Sequence, residues 1–279
     1  MPEWNEKYRS LCDNLRAFGK LAAAFSGGVD STLLLRAAAD ALGAENVLAV
    51  NAVAVNFPAW ESDEAAGYCR ALGVRRVTVQ FHPLEVPGFR DNPPERCYLC
   101  KRALFAALIR AAGEQGFQTL AEGSNLDDLS DFRPGLTAIA ELGVRSPLRD
   151  AGLSKQDVRA LSHALGLPTW RKPSNACLAT RFPYGEQITE EKLRTVDRAE
   201  EFLRARGFSQ VRVRVHGSVA RIEVPPQEIE KFLDEGVRLR VTEACRRFGF
   251  THVSLDLTGY QTGSMNADLP REVIERFKP

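Results

Sequence analysis

Ser26-Gly27-Gly28-Val29-Asp30-Ser31 lies between an apolar run, Leu21 to Phe25, and a helix-like stretch, Thr32 to Leu42. A strand that ends in Ser-Gly-Gly ahead of a helix sets two residues without side chains where backbone can approach oxyanions closely. The free N–H groups of the first helical turn then point at the same spot. Ser26 and Ser31 add hydroxyl donors, and Asp30 offers a carboxylate suited to Mg2+. The loop lacks the Gly-Lys-Ser/Thr ending with which a Walker-type loop grips phosphates. Working outward, apolar strand candidates recur at Val47 to Val55, Val74 to Phe81 and Thr119 to Glu122. They alternate with helix candidates near 59–72 and at Lys101 to Gln115, and Trp4, Tyr8, Leu11, Leu15 and Phe18 mark an amphipathic helix before them. That order predicts an α/β fold with a parallel sheet. Ligands of such sheets sit beyond the carboxyl ends of the strands, where Ser26 to Ser31, Asn51 to Phe57 and Gly123 to Asp128 emerge together.

With 279 residues, 26% charged and 44% hydrophobic, the chain is long enough for two domains with cores of their own. No apolar run approaches the roughly 20 residues of a membrane span, and the first residues lack the basic-then-apolar order of a signal peptide. A cytoplasmic location is the expectation. A net charge of +1 gives no general attraction to nucleic acid. The proline-rich stretch Pro168 to Pro183 reads as a linker, which sets the expected domains at 1–170 and 171–279. The second is a smaller α/β unit: a helix over Glu190 to Arg206, a hairpin of Gln210 to His216 and Ala220 to Val224 turning at Gly217-Ser218, a helix starting within Pro226 to Asp234, and a strand over Thr251 to Leu257.

Three clusters carry chemistry. Glu122-Gly123-Ser124-Asn125-Leu126-Asp127-Asp128 packs amide and carboxylate groups behind a strand, where Gly123, Asn125, Asp127 and Asp128 could read a ribose or hold a metal. Asp and Asn also favour turns for local reasons, so the upstream loop is what favours a site here. Cys97 and Cys100 form a C-x-x-C at the start of a helix, spaced so that both sulfurs reach one metal or cluster, with Arg96 and Lys101 favouring thiolates. The four histidines show no ligand spacing, so a structural zinc site lacks its other ligands, whereas a four-iron cluster with one open iron needs a single further cysteine. Cys177, in the linker beside Arg181, is that candidate; Cys12, Cys69 and Cys245 fall in helix-like stretches and read as small buried hydrophobes. Arg212 and Arg214 share one face of the hairpin, as an ordinary solvated face or as a clamp for phosphate or carboxylate.

The loop resembles the PP-loop, which binds the pyrophosphate end of ATP in enzymes that adenylate a substrate oxygen. Together with Glu122 to Asp128, Asp131-Phe132-Arg133-Pro134-Gly135, Pro173 to Arg181 and Tyr184-Gly185, it makes the chain similar, over nearly its whole length, to the LarE family of PP-loop sulfur transferases. The resemblance implies an ATP pyrophosphatase-type fold and an ATP- and Mg2+-dependent enzyme. Its implied substrate is a small-molecule nucleotide, pyridinium-3,5-biscarboxylic acid mononucleotide. A carboxylate of that nucleotide becomes a thiocarboxylate for the nickel-pincer cofactor of lactate racemase. It further implies phosphate contacts at Arg212 and Arg214, Cys177 as the sulfur-bearing position, and a homo-oligomer, since family members form hexamers.

Members with one cysteine give up its own sulfur. This chain also has Cys97 and Cys100, so the expectation is a [4Fe-4S] cluster on Cys97, Cys100 and Cys177 that carries a replaceable sulfide, with sacrificial Cys177 as the alternative. A tRNA thiolase is the nearest rival, disfavoured by the near-neutral charge. An amidating synthetase would need an ammonia source that the chain does not show, and a non-catalytic adenine-nucleotide module leaves the three cysteines without a purpose.

Overall fold

The computed structural model describes residues 3–58, 60–130, 134–173 and 176–276. Asp131-Phe132-Arg133 and Ser174-Asn175 of the family-like stretches, and position 59 of an expected helix, lie outside them. Two compact units form, one of Met1–Val86, Glu95–Asn175 and Ile274–Pro279, the other of Pro87–Pro94 and Ala176–Val273. No helix among the described residues is long and apolar enough to cross a membrane.

The first unit runs α1 (Glu3–Arg16), β1 (Leu21–Ala24), α2 (Val29–Leu42), β2 (Val47–Val53), α3 (Trp60–Ala71), β3 (Arg75–Gln80), α4 (Arg96–Glu114), β4 (Leu120–Ala121), α5 (Pro134–Glu141), α6 (Pro147–Asp150) and α7 (Lys155–Ala164). Its four strands pair in the order β3-β2-β1-β4, all parallel, as the alternation of strands and helices predicts. β1 is Leu-Ala-Ala-Ala, three of its residues fully buried, and such small side chains let helices pack close on a central strand. Leu33, Leu34 and Leu35 of α2, Leu148 of α6, and Val158 and Leu161 of α7 fill the core around it. Beyond the two-residue β4, Arg145 continues the pairing through Glu122 N–H to its carbonyl (2.9 Å) and its own N–H to the Leu120 carbonyl (3.0 Å).

α2 begins three residues earlier than its apolar pattern indicates. Gly28 is the N-cap, so Val29, Asp30 and Ser31 form the first turn of the helix rather than part of the loop. Hydrophobic periodicity misses this turn because Asp30 and Ser31 are polar.

The second unit holds α8 (Glu190–Arg204), β5 (Arg212–His216), β6 (Val219–Glu223), α9 (Glu235–Arg247) and β7 (His252–Leu255), followed by α10 (Arg271–Arg276) at the boundary of the units. β5 and β6 form the expected hairpin, with Gly217 at φ +59°, and β7 adds to β6 in parallel. Thr189 caps α8 by accepting the Lys192 N–H, and Leu193, Val196, Ala199 and Leu203 are its buried stripe. The helix expected to start within 226–234 is instead a separate 3-10 turn, Pro226–Leu233, and α9 starts afresh after Asp234, whose carboxylate accepts the Val237 N–H at 2.8 Å. An apolar pattern alone does not reveal that second cap.

Candidate active site

Backbone conformation prepares the loop after β1. Gly27 takes φ +71°, open to glycine at little cost, and Gly28 turns into α2. Ser26 Oγ lies 3.1 Å from Ser31 Oγ and accepts the Gly28 N–H at 3.4 Å, while Ser31 Oγ donates to the Gly28 carbonyl at 3.2 Å. Asn51, buried within β2, donates to the Phe25 carbonyl at 3.0 Å and ties the second strand to the exit of the first.

The Gly123 to Asp128 turn is drawn against the same helix start. A side chain on Gly123 would meet Ser31 N at 3.0 Å and Asp30 Cβ at 3.1 Å, so only glycine lets the two segments approach. Behind it, the buried Glu122 carboxylate accepts from Ser124 N–H (2.9 Å), Ser124 Oγ (2.8 Å) and Ser146 Oγ (2.6 Å), a fully hydrogen-bonded knot that fixes the turn. Asn125 Nδ2 then donates to Asp30 Oδ1 at 3.0 Å. Asn125 Oδ1 accepts the Asp127 N–H, Asp128 accepts the Asn125 N–H, and Asp127 Oδ2 accepts the N–H of Lys155 at the head of α7. Loop, turn and helix start thus form one polar cluster at the carboxyl ends of the strands.

Two lysines join that cluster without any sequence motif to announce them. Lys155 Nζ pairs with Asp30 Oδ2, and Lys172 Nζ donates to the Gly27 carbonyl at 2.9 Å and to Glu64 at 2.7 Å. The Asp30, Asp127 and Asp128 carboxylates are hard oxygen donors of the kind Mg2+ prefers, and Lys155 holds one Asp30 oxygen.

Cys97 and Cys100 stand one turn apart at the start of α4, Cys97 half-buried with the buried Arg96 guanidinium 3.7 Å from its sulfur, Cys100 buried. Cys177 is half-buried at the head of the second unit. Among the described residues no group of three or more His, Cys, Asp or Glu side chains is placed to hold a metal ion. Cys12, Cys69 and Cys245 are buried, and burial pushes the thiols of Cys69 and Cys245 up to about 11, as suits inert core residues.

In the second unit the Cys177 segment is held by Arg181. Its guanidinium donates to the carbonyls of Ala176 (2.9 Å) and Cys177 (3.1 Å), to Thr180 Oγ1 (2.8 Å), and to Glu200 at 2.7 and 2.9 Å. Glu200 also accepts the Val213 N–H of β5, so one buried carboxylate links strand, helix and cysteine segment. Arg212 and Arg214 are not on a solvated face. They are 3% and 4% exposed, because the Ala176 to Thr180 segment and the 260–265 stretch cover that side of the hairpin. Arg214 pairs with Glu223 at 2.8 Å, whereas Arg212 lies over the Tyr260 ring, 5.2 Å from its centre. Burial, followed by the nearby Arg181 charge, pushes Arg212 down to about 10. A buried guanidinium so perturbed favours an anion beside it.

No family model matches the chain. It is 43% identical to an uncharacterised protein of Synechocystis over 94% of this chain and 99% of that one. It is 37% identical to pyridinium-3,5-bisthiocarboxylic acid mononucleotide synthase of Lactiplantibacillus plantarum, over 97% of this chain and 98% of the synthase. A shorter similarity, 33% over 135 residues, covers 48% of the chain and 23% of a glutamine-dependent NAD(+) synthetase of Xylella fastidiosa. With the parallel sheet, its PP-loop, and 37% identity to a named synthase over 97% of its length, the chain belongs to the LarE family of ATP-dependent sulfur transferases.

Proposed function

We propose that this protein uses ATP to adenylate a carboxylate of pyridinium-3,5-biscarboxylic acid mononucleotide and converts it to a thiocarboxylate, in the cytoplasm and as a homo-oligomer. The full-length similarity to the Lactiplantibacillus synthase carries the reading. The pyrophosphate end of ATP lies on Ser26, Gly27, Gly28, Val29 and Ser31, with Gly123 and Asn125 closing the site. Asp30, aided by Asp127 or Asp128, would hold Mg2+, which neutralises phosphate charge when bound. The substrate carboxylate attacks the α-phosphorus, giving an acyl-adenylate and pyrophosphate, while loop N–H groups take up charge on the leaving group. A sulfur nucleophile then displaces AMP. Arg212 and Arg214 hold the phosphate of the nucleotide.

For the source of sulfur, Cys97, Cys100 and Cys177 would supply the three thiolates of a [4Fe-4S] cluster. Such a cluster would present sulfide at its open iron. Protein purified without oxygen, with iron and sulfide added, should contain iron and absorb in the visible, and Cys97→Ala should lose both. Iron-free protein whose Cys177 loses the mass of hydrogen sulfide on turnover would instead establish the sacrificial route. Substrate-dependent pyrophosphate release that disappears in Asp30→Ala separates an enzyme from a nucleotide-binding module.

A further inference from the structure

We propose that Lys172 is a ligand of the β- and γ-phosphates of ATP, supplying from outside the loop the cation that the Ser26 to Ser31 sequence lacks. The proposal rests on the reading of that loop as the ATP site. Loops of the Gly-Lys-Ser/Thr type carry their own lysine, and this one has none. A residue 145 positions later brings a lysine to the loop: Lys172 Nζ sits 2.9 Å from the Gly27 carbonyl, on the glycine whose positive φ opens the loop.

The ammonium is not needed to hold its own segment in place. Arg159 already anchors the 170–172 backbone by donating to the carbonyls of Trp170 (2.7 Å) and Lys172 (3.2 Å). Nor is its carboxylate partner a strong one. The Lys172 side chain is only 10% exposed, but Glu64 is 44% exposed, and such a pair adds little stability. A positive charge buried beside an oxyanion loop and paired with an exposed carboxylate is arranged for exchange. An ammonium has three donors, so it keeps the Gly27 carbonyl and trades Glu64 for a phosphate oxygen as ATP arrives. When pyrophosphate leaves, the same charge stabilises it.

Binding of ATP, inorganic pyrophosphate and AMP to the full-length protein tests this by titration calorimetry. Lys172→Met, which keeps the stem and removes the charge, should weaken ATP and pyrophosphate at least about tenfold and leave AMP unchanged, as for loss of one charge-assisted hydrogen bond. Lys172→Arg should recover part of the loss. Glu64→Gln removes the competitor, so it should bind ATP as tightly as wild type or more tightly. If Lys172 is merely a structural latch, Lys172→Met and Glu64→Gln break the same ion pair and weaken ATP alike, which overturns the proposal. Equal losses for ATP and AMP also overturn it. Wild-type protein that binds no ATP overturns the reading of the loop itself.

Discussion

Gly123 shows how little room the site leaves at the level of single residues. Its missing Cβ would meet the backbone of Asp30 and Ser31 at 3.0 to 3.1 Å, and backbone cannot swing aside as a long side chain can. Gly123→Ala is therefore expected to cost about 1–3 kcal/mol in urea denaturation. It should also weaken ATP binding, because the shift falls on Asp30; unchanged ATP affinity would show that the close approach is irrelevant to the site. Glu200 poses the opposite problem, a charge fully enclosed. Burial alone would raise its carboxyl, but the Arg181 charge and hydrogen bonds outweigh that and hold it below the ordinary carboxylate range. A carboxylate whose folded pKa is depressed adds stability that is present above its unfolded value, about 4.3, and lost as pH falls through the folded one. Glu200→Gln should then cost about 3–5 kcal/mol at neutral pH, since it strands a buried guanidinium. The gap between wild type and variant should narrow below about pH 4. A gap that stays constant into acid contradicts the assignment.

Among the elements, α7 carries more than its own packing. Ser154 and Asp157 form a capping box, Ser154 Oγ accepting the Asp157 N–H and Asp157 accepting the Ser154 N–H, and the next residue is the Lys155 that pairs with Asp30. Ser154→Ala should lower stability by about 1 kcal/mol. Because the frayed turn includes Lys155, it should also alter the Mg2+ concentration needed for pyrophosphate release; a variant with lowered stability and an unchanged Mg2+ requirement would uncouple cap from site. None of this was legible in the chain as written. β1, β2, β3 and the hairpin follow from apolar runs and a Gly turn, signals confined to a few neighbouring residues. The glycines and Asp30 of the loop stand out in the sequence because the loop is contiguous. Lys155 and Lys172 were not, since each reaches the loop from a distant segment and nothing local distinguishes them from surface lysines. The burial of Arg212 and Arg214 escaped notice for the same reason: alternation shows that they share a face, whereas what covers that face comes from 176–180 and 260–265.

At the scale of the whole molecule, each unit has its own sheet and its own buried residues, and the ligands proposed for the two differ. The proposed site for the phosphates of ATP belongs to the first unit, and the acid-sensitive Arg181–Glu200 pair belongs to the second. Chains of this kind need not melt in one step. All three tryptophans, Trp4, Trp60 and Trp170, fall in the first unit, so tryptophan fluorescence follows that unit alone while far-ultraviolet circular dichroism follows both. ATP with Mg2+ at a hundred times its dissociation constant stabilises whatever binds it by about 2.7 kcal/mol. The fluorescence midpoint should therefore rise on adding ATP and stay where it is in Glu200→Gln. Dichroism of that variant should gain an earlier phase that ATP does not move. If fluorescence and dichroism instead share one midpoint under every condition, and Glu200→Gln lowers both, the units fold as one cooperative body, and a charge buried in the second sets the stability of the ATP site in the first.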